Sequence, residues 1–135
     1  MKLLPVKLFT VLLFSVLAVG CGYSHSTTPV QPGTMPVISG LIPPMANNST
    51  SGGGVAFTLE VDGSKFNSDA VINFNGAPQT TTFVSSSKIT AMIASTAIAT
   101  AGTVPVTVTN PGKPGGQYGG GTQPSTSTAM NFTIN

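Results

Sequence analysis

Val55, Phe57, Leu59 and Val61 alternate with Ala56, Thr58 and Glu60, and this two-residue period restricts the fold more than any other feature of the chain. Successive side chains of an extended strand point to opposite faces, so Val55 to Val61 is predicted to be a strand with its apolar face buried. The period returns along the chain. Val37 to Ile42 is a first, less regular strand, closed by Pro43-Pro44. Val71 to Phe74 turns Ile72 and Phe74 inward and ends at Asn75-Gly76, a hairpin-type turn. Gln79 to Val84, rich in Thr, is expected to pair back onto it. Lys88 to Ala94 places Ile89, Ala91 and Ile93 on one face. Val104, Val106 and Val108 alternate with Pro105, Thr107 and Thr109, and Met130, Phe132 and Ile134 form the closing strand. Pro105 has no N–H for a ladder, which predicts an edge or a solvent-facing gap there.

Turn chemistry fills the intervals. Asn47 to Gly54 is a loop, Asp62-Gly63 permits a turn or bulge before Phe66 returns to the core, and Ser95 to Ala101 has room for a short helix. Seven short strands separated by such turns predict an all-β fold, a two-sheet antiparallel sandwich. The chain has one cysteine, so no internal disulfide is available and the sandwich must hold by apolar packing.

The first twenty residues have a different character. Lys2 and Lys7 precede an apolar stretch from Leu8 to Val19, broken by Thr10 and Ser15 and followed by Gly20 and Cys21. A positive start, a short apolar run and small residues at its end describe a secretory signal, too short for an ordinary spanning helix. Leu17-Ala18-Val19-Gly20-Cys21 resembles the bacterial lipobox, with Ala18 where leucine is most usual. That resemblance implies lipid on the Cys21 sulfur and cleavage just before it. Residues 1–20 then read as a lipoprotein signal peptide, and residues 21–35 as the lipidated cysteine and a flexible tether. Gly22 to Gly33 is polar and Pro-, Ser- and Thr-rich, without apolar periodicity. The expected location is the bacterial envelope, anchored to the cell membrane or the outer membrane. Gly22, where some bacteria use aspartate for inner-membrane retention, favours the outer membrane.

Discounting Lys2 and Lys7 changes the electrostatics. The formal net charge of +2 belongs to the leader; Lys65, Lys88 and Lys113 balance Glu60, Asp62 and Asp69. A neutral chain without arginine offers no basic face for nucleic acid and no bidentate anion clamp.

Residues 36–135 carry a second resemblance. Pro36-x-Ile38, Leu41-Ile42-Pro43, Gly52-Gly53-Gly54 and Phe57-x-Leu59-x-Val61-x-Gly63-x-x-Phe66 follow in order. Val71-x-x-Phe74-Asn75-Gly76, Ile89-Thr90-Ala91 and Val104-x-Val106-x-Val108-x-Asn110-Pro111-Gly112 continue the series. Together they resemble an IPT/TIG domain, which implies an immunoglobulin-like β-sandwich. The chain departs from that pattern at Ala94, where proline is usual, and in the long loop from Pro111 to Thr128.

Few residues offer chemistry. His25 sits alone in the tether with no fixed acid partner, a poor general base, and no second His or Cys is present for zinc. Asp62 and Asp69 flank the Gly63 to Asn67 turn; they could share a calcium ion or simply keep a surface solvated. Asn48-Ser49-Thr50 and Asn131-Phe132-Thr133 match the glycosylation sequon, which a bacterial lipoprotein has no reason to use. Gly115 to Gly121 lacks the following helix and the Lys-Ser/Thr pair of a phosphate cradle and reads as a flexible loop. Its Tyr118 is the candidate ligand-binding residue, an aromatic among glycines able to stack on a sugar or a partner surface. No catalytic residue, metal site or cofactor is expected. The functional expectation is a membrane-anchored, non-catalytic module that contacts a protein or a polysaccharide, or else a purely structural envelope lipoprotein.

Overall fold

A computed structural model describes residues 29–48, 54–117 and 119–135. Cys21 and His25 lie outside the described residues, as does Tyr118. The described residues form ten strands, three of them only two residues long, and one 3-10 turn. One sheet has the order β1-β3-β7-β6, where β1 is Val37–Ile42, β3 Phe57–Ser64, β6 Thr81–Ser85 and β7 Lys88–Ile93. The other runs β2-β10-β8-β4-β5, with β2 at Met45–Ala46, β4 at Val71–Phe74, β5 at Ala77–Pro78, β8 at Gly102–Asn110 and β10 at Met130–Ile134. β9, Ser125–Thr126, pairs with the end of β8. All pairings between these strands are antiparallel except β2 with β10. This is an immunoglobulin-like all-β sandwich, and the seven longer strands fall on the seven periodic runs of the sequence. Among the described residues no helix is long and apolar enough to cross a membrane.

The inward residues of the two sheets form one core. Leu59, Val61, Ile72, Ile89, Ile93, Val106, Val108 and Phe132 are fully buried. Each large apolar side chain taken from water contributes about 1.5–3 kcal/mol, the main force opposing the ordering entropy of the chain. Phe132 lies between two rings: Phe57 stacks on it at 5.6 Å, and Phe74 meets it edge-on at 5.3 Å.

Two expectations are corrected and two are narrowed. The strand predicted from Val55 begins at Phe57, and Val55 is 74% exposed rather than inward. Of Gln79 to Val84 only the first residue bonds β4, the Gln79 N–H donating to the Ile72 carbonyl at 2.8 Å. The pair on β4 is otherwise Ala77–Pro78, and β6 crosses to the other sheet to pair with β7. The Thr81 hydroxyl marks that crossing, accepting from the Ile72 N–H at 2.9 Å and donating to the Gln79 carbonyl at 2.9 Å. Of the turn or bulge expected at Asp62-Gly63 the structure has the irregularity in the ladder: Gly63 lies inside β3, and the pairing with β1 shifts register opposite Asp62 and Gly63, between Ile38 and Gly40. A Cβ on Gly63 would sit 2.0 Å from the Val37 carbonyl oxygen. The reversal after it is made by Lys65, at φ 62°. Finally, of the edge or gap foreseen at Pro105 the structure has the gap: β8 is a central strand, and the gap comes from its neighbour. β4 stops opposite Val106 and turns away through Asn75-Gly76, at φ 50° and 77°. The imide nitrogen of Pro105 faces the place β4 has left, while its carbonyl accepts from the Asn75 N–H at 2.9 Å.

Candidate functional site

The strand directions give the sandwich two unlike ends. β8 ends at Asn110 near the lead-in segment and begins at Gly102 on the opposite side. Eight steps of about 3.3 Å separate these points by about 26 Å.

At the first end the chain before β1 is fastened down. Gln31 donates its N–H to the Gly121 carbonyl and accepts from the Gln123 N–H, both at 2.9 Å, in a parallel bridge to Thr122. Thr122 in turn exchanges backbone hydrogen bonds with Lys113 at 2.9 and 3.0 Å. The described part of the long loop is therefore folded back on itself and held to the lead-in, although the sequence reads as flexible on both sides. Asn110 completes the fastening. Its side chain is buried; Oδ1 accepts from the Asn67 N–H at 3.0 Å, while Nδ2 donates to the carbonyls of Thr34 at 2.9 Å and Lys65 at 2.8 Å. One amide thus joins the lead-in, the turn after β3 and the end of β8. The sequence signal for it was an asparagine closing an apolar alternation just before Pro111-Gly112.

Half of the described ionisable side chains lie together on the outer face of the first sheet. Lys88 Nζ is 2.5 Å from Glu60 Oε1 and 3.8 Å from Asp62 Oδ1. The hydrogen bond to Glu60, together with attraction to Glu60 and Asp62, holds the ammonium above the ordinary lysine value despite opposing desolvation. Asp62 is thus turned to Lys88, and Asp69 lies beyond it in the turn before β4. Among the described residues no three His, Cys, Asp or Glu side chains group as metal ligands.

The opposite end carries an open cleft of about 480 Å³ between the segment after β7 and the start of β8. It exists because β4 is shorter than β8, which leaves the first residues of β8 without a neighbour on that side. Thr96, Thr100 and Thr103 and the Asn75 amide bring polar groups to its wall, and Val104 and Ile134 form part of its floor. The small residues Ala97, Ala101 and Gly102 keep it open. No Asp, Glu or Lys side chain lines it.

The family model described as IPT/TIG domain matches residues 36–133. No curated protein and no solved structure matches the chain.

Proposed function

The chain belongs to the IPT/TIG domain family, whose Ig-like domains are commonly interaction modules, and from that premise we propose a non-catalytic interaction module displayed on a bacterial membrane by lipid on Cys21. The observation that carries this reading is the end-to-end arrangement of the sandwich. The lead-in from Cys21 meets the fold at Gln31, about ten residues on and so within roughly 35 Å of the anchor. The open cleft occupies the other end, where a bound protein or polysaccharide is clear of the bilayer. Two or more acyl chains give stable anchoring where one does not, so the lipid would hold the module permanently in the envelope.

The test is crosslinking of intact cells, with capture of the full chain from the membrane fraction. Wild type is expected to stay membrane-bound and bring a specific partner with it, and Cys21→Ala to lose membrane retention. Unchanged retention and mature mass in Cys21→Ala would remove the lipid from the account. Retention without any captured partner would leave a structural envelope lipoprotein.

A further inference from the structure

Building on the interaction reading, we infer that the cleft between the 96–101 segment and the start of β8 binds an uncharged, hydroxyl-rich ligand, a segment of neutral polysaccharide. Three features of the wall lead to this ligand class. The polar side chains Asn75, Thr96, Thr100 and Thr103 are exposed and make no side-chain hydrogen bond among the described residues. Hydroxyls and a carboxamide both donate and accept, which matches a sugar hydroxyl in either role. The half-buried Val104, with the exposed Ala97 and Ala101 beside it, offers a small apolar surface for the C–H face of a pyranose ring.

The third feature is a backbone pair. Groups of one residue in a strand point to one side and alternate along it. The Pro105 carbonyl points to the β4 side, so the N–H and C=O of Thr103 do also, two residues earlier and past the end of β4. They open into the cleft with no strand beside them.

An ionic ligand finds no countercharge in this wall. An extended peptide needs a row of alternating backbone partners to add as a strand. Here only Thr103 supplies such a pair, since Pro105 has no N–H and its carbonyl already holds Asn75. A saccharide needs no row. Without an aromatic ring in the lining, binding is expected to be weak, with half-saturation on the order of millimolar.

The experiment uses the isotope-labelled full chain in zwitterionic micelles, with amide resonances followed during titration. The probes are neutral hexasaccharides of glucose, mannose, galactose and N-acetylglucosamine, a hexagalacturonate carrying carboxylates, and an uncharged capped Ser-Ala hexapeptide. At least one neutral hexasaccharide is expected to shift residues 96–104 and Asn75 saturably, leaving Gln31 and Lys113 unmoved. Thr100→Val with Thr103→Val should weaken it about tenfold while leaving the unfolding midpoint in place. Three results would overturn the assignment: no neutral probe shifting these amides, hexagalacturonate binding as well as the neutral probes, or the hexapeptide binding more tightly. A captured cellular partner without any saccharide shift would also overturn it, while the interaction reading stood.

Discussion

At the lead-in end a buried amide makes three hydrogen bonds, whereas at the cleft end four exposed polar side chains make none among the described residues. Cohesion near the cleft comes instead from three phenyl rings, Phe57, Phe132 and Phe74. One end uses its polar groups to hold its own backbone. The other holds itself by apolar packing and leaves its polar groups facing outward. The difference separates a fastened end from an open one, as the proposed anchored module would need.

The largest break in this comparison comes from the rings. Phe132→Ala removes the ring shared by both aromatic contacts and leaves a cavity under the cleft floor. It is expected to cost about 3–5 kcal/mol, read as a lower midpoint in chemical unfolding. If the loss were below about 1 kcal/mol, aromatic packing would not be what holds the cleft end.

Asn110→Ala strikes the other end. It leaves the Asn67 N–H and the carbonyls of Thr34 and Lys65 without their shared partner. With some water reaching these groups, the expected loss is about 2–3 kcal/mol. Limited proteolysis separates the two variants better than the midpoint. Cleavage should rise at the lead-in and in the 111–124 loop for Asn110→Ala, with the 96–101 segment no more sensitive than in wild type. Equal sensitivity at both ends would mean that the sandwich loosens as one unit.

The division between the two ends also explains what the sequence could and could not tell. Alternation located β3, β7, β8 and β10 and the buried faces of Ile72, Phe74, Ile89 and Ile93, because apolar burial follows the two-residue period directly. It could not say that β6 leaves the sheet of β4, since inward and outward alternate identically on either sheet. Val55 continues the pattern but lies beyond the end of the ladder, where nothing covers it. The fastening through Asn110 and Gln31 depends on hydrogen bonds between segments far apart in sequence, one of them Pro- and Gly-rich and without any period. The cleft had almost no local signal. It follows from the unequal lengths of β4 and β8, and only Pro105 hinted at it.

The smallest effect lies between the two ends, on the outer sheet face. Lys88, Glu60 and Asp62 form an exposed ion-pair group there, and the hydrogen bond to Glu60 leads the causes that raise the lysine pKa. A lysine whose pKa rises on folding contributes stability that is fully present below its unfolded value, about 10.5, and is lost as pH climbs through the raised folded value. The contribution should therefore be constant at neutral pH and fade above about pH 10.5. Lys88→Met removes it at every pH. The difference in unfolding midpoint between wild type and Lys88→Met is then expected to be small at pH 7, to shrink further in 1 M salt, and to narrow again above pH 10.5. The variant leaves Glu60 and Asp62 facing each other without a cation, so part of the neutral-pH difference is their repulsion. Lys88→Met with Glu60→Gln removes that part and isolates the pair. A difference that stayed constant into the alkaline range in both backgrounds would show that Lys88 acts through its alkyl stem packing on the sheet, and that the outer face joins the apolar cleft end rather than the polar lead-in end.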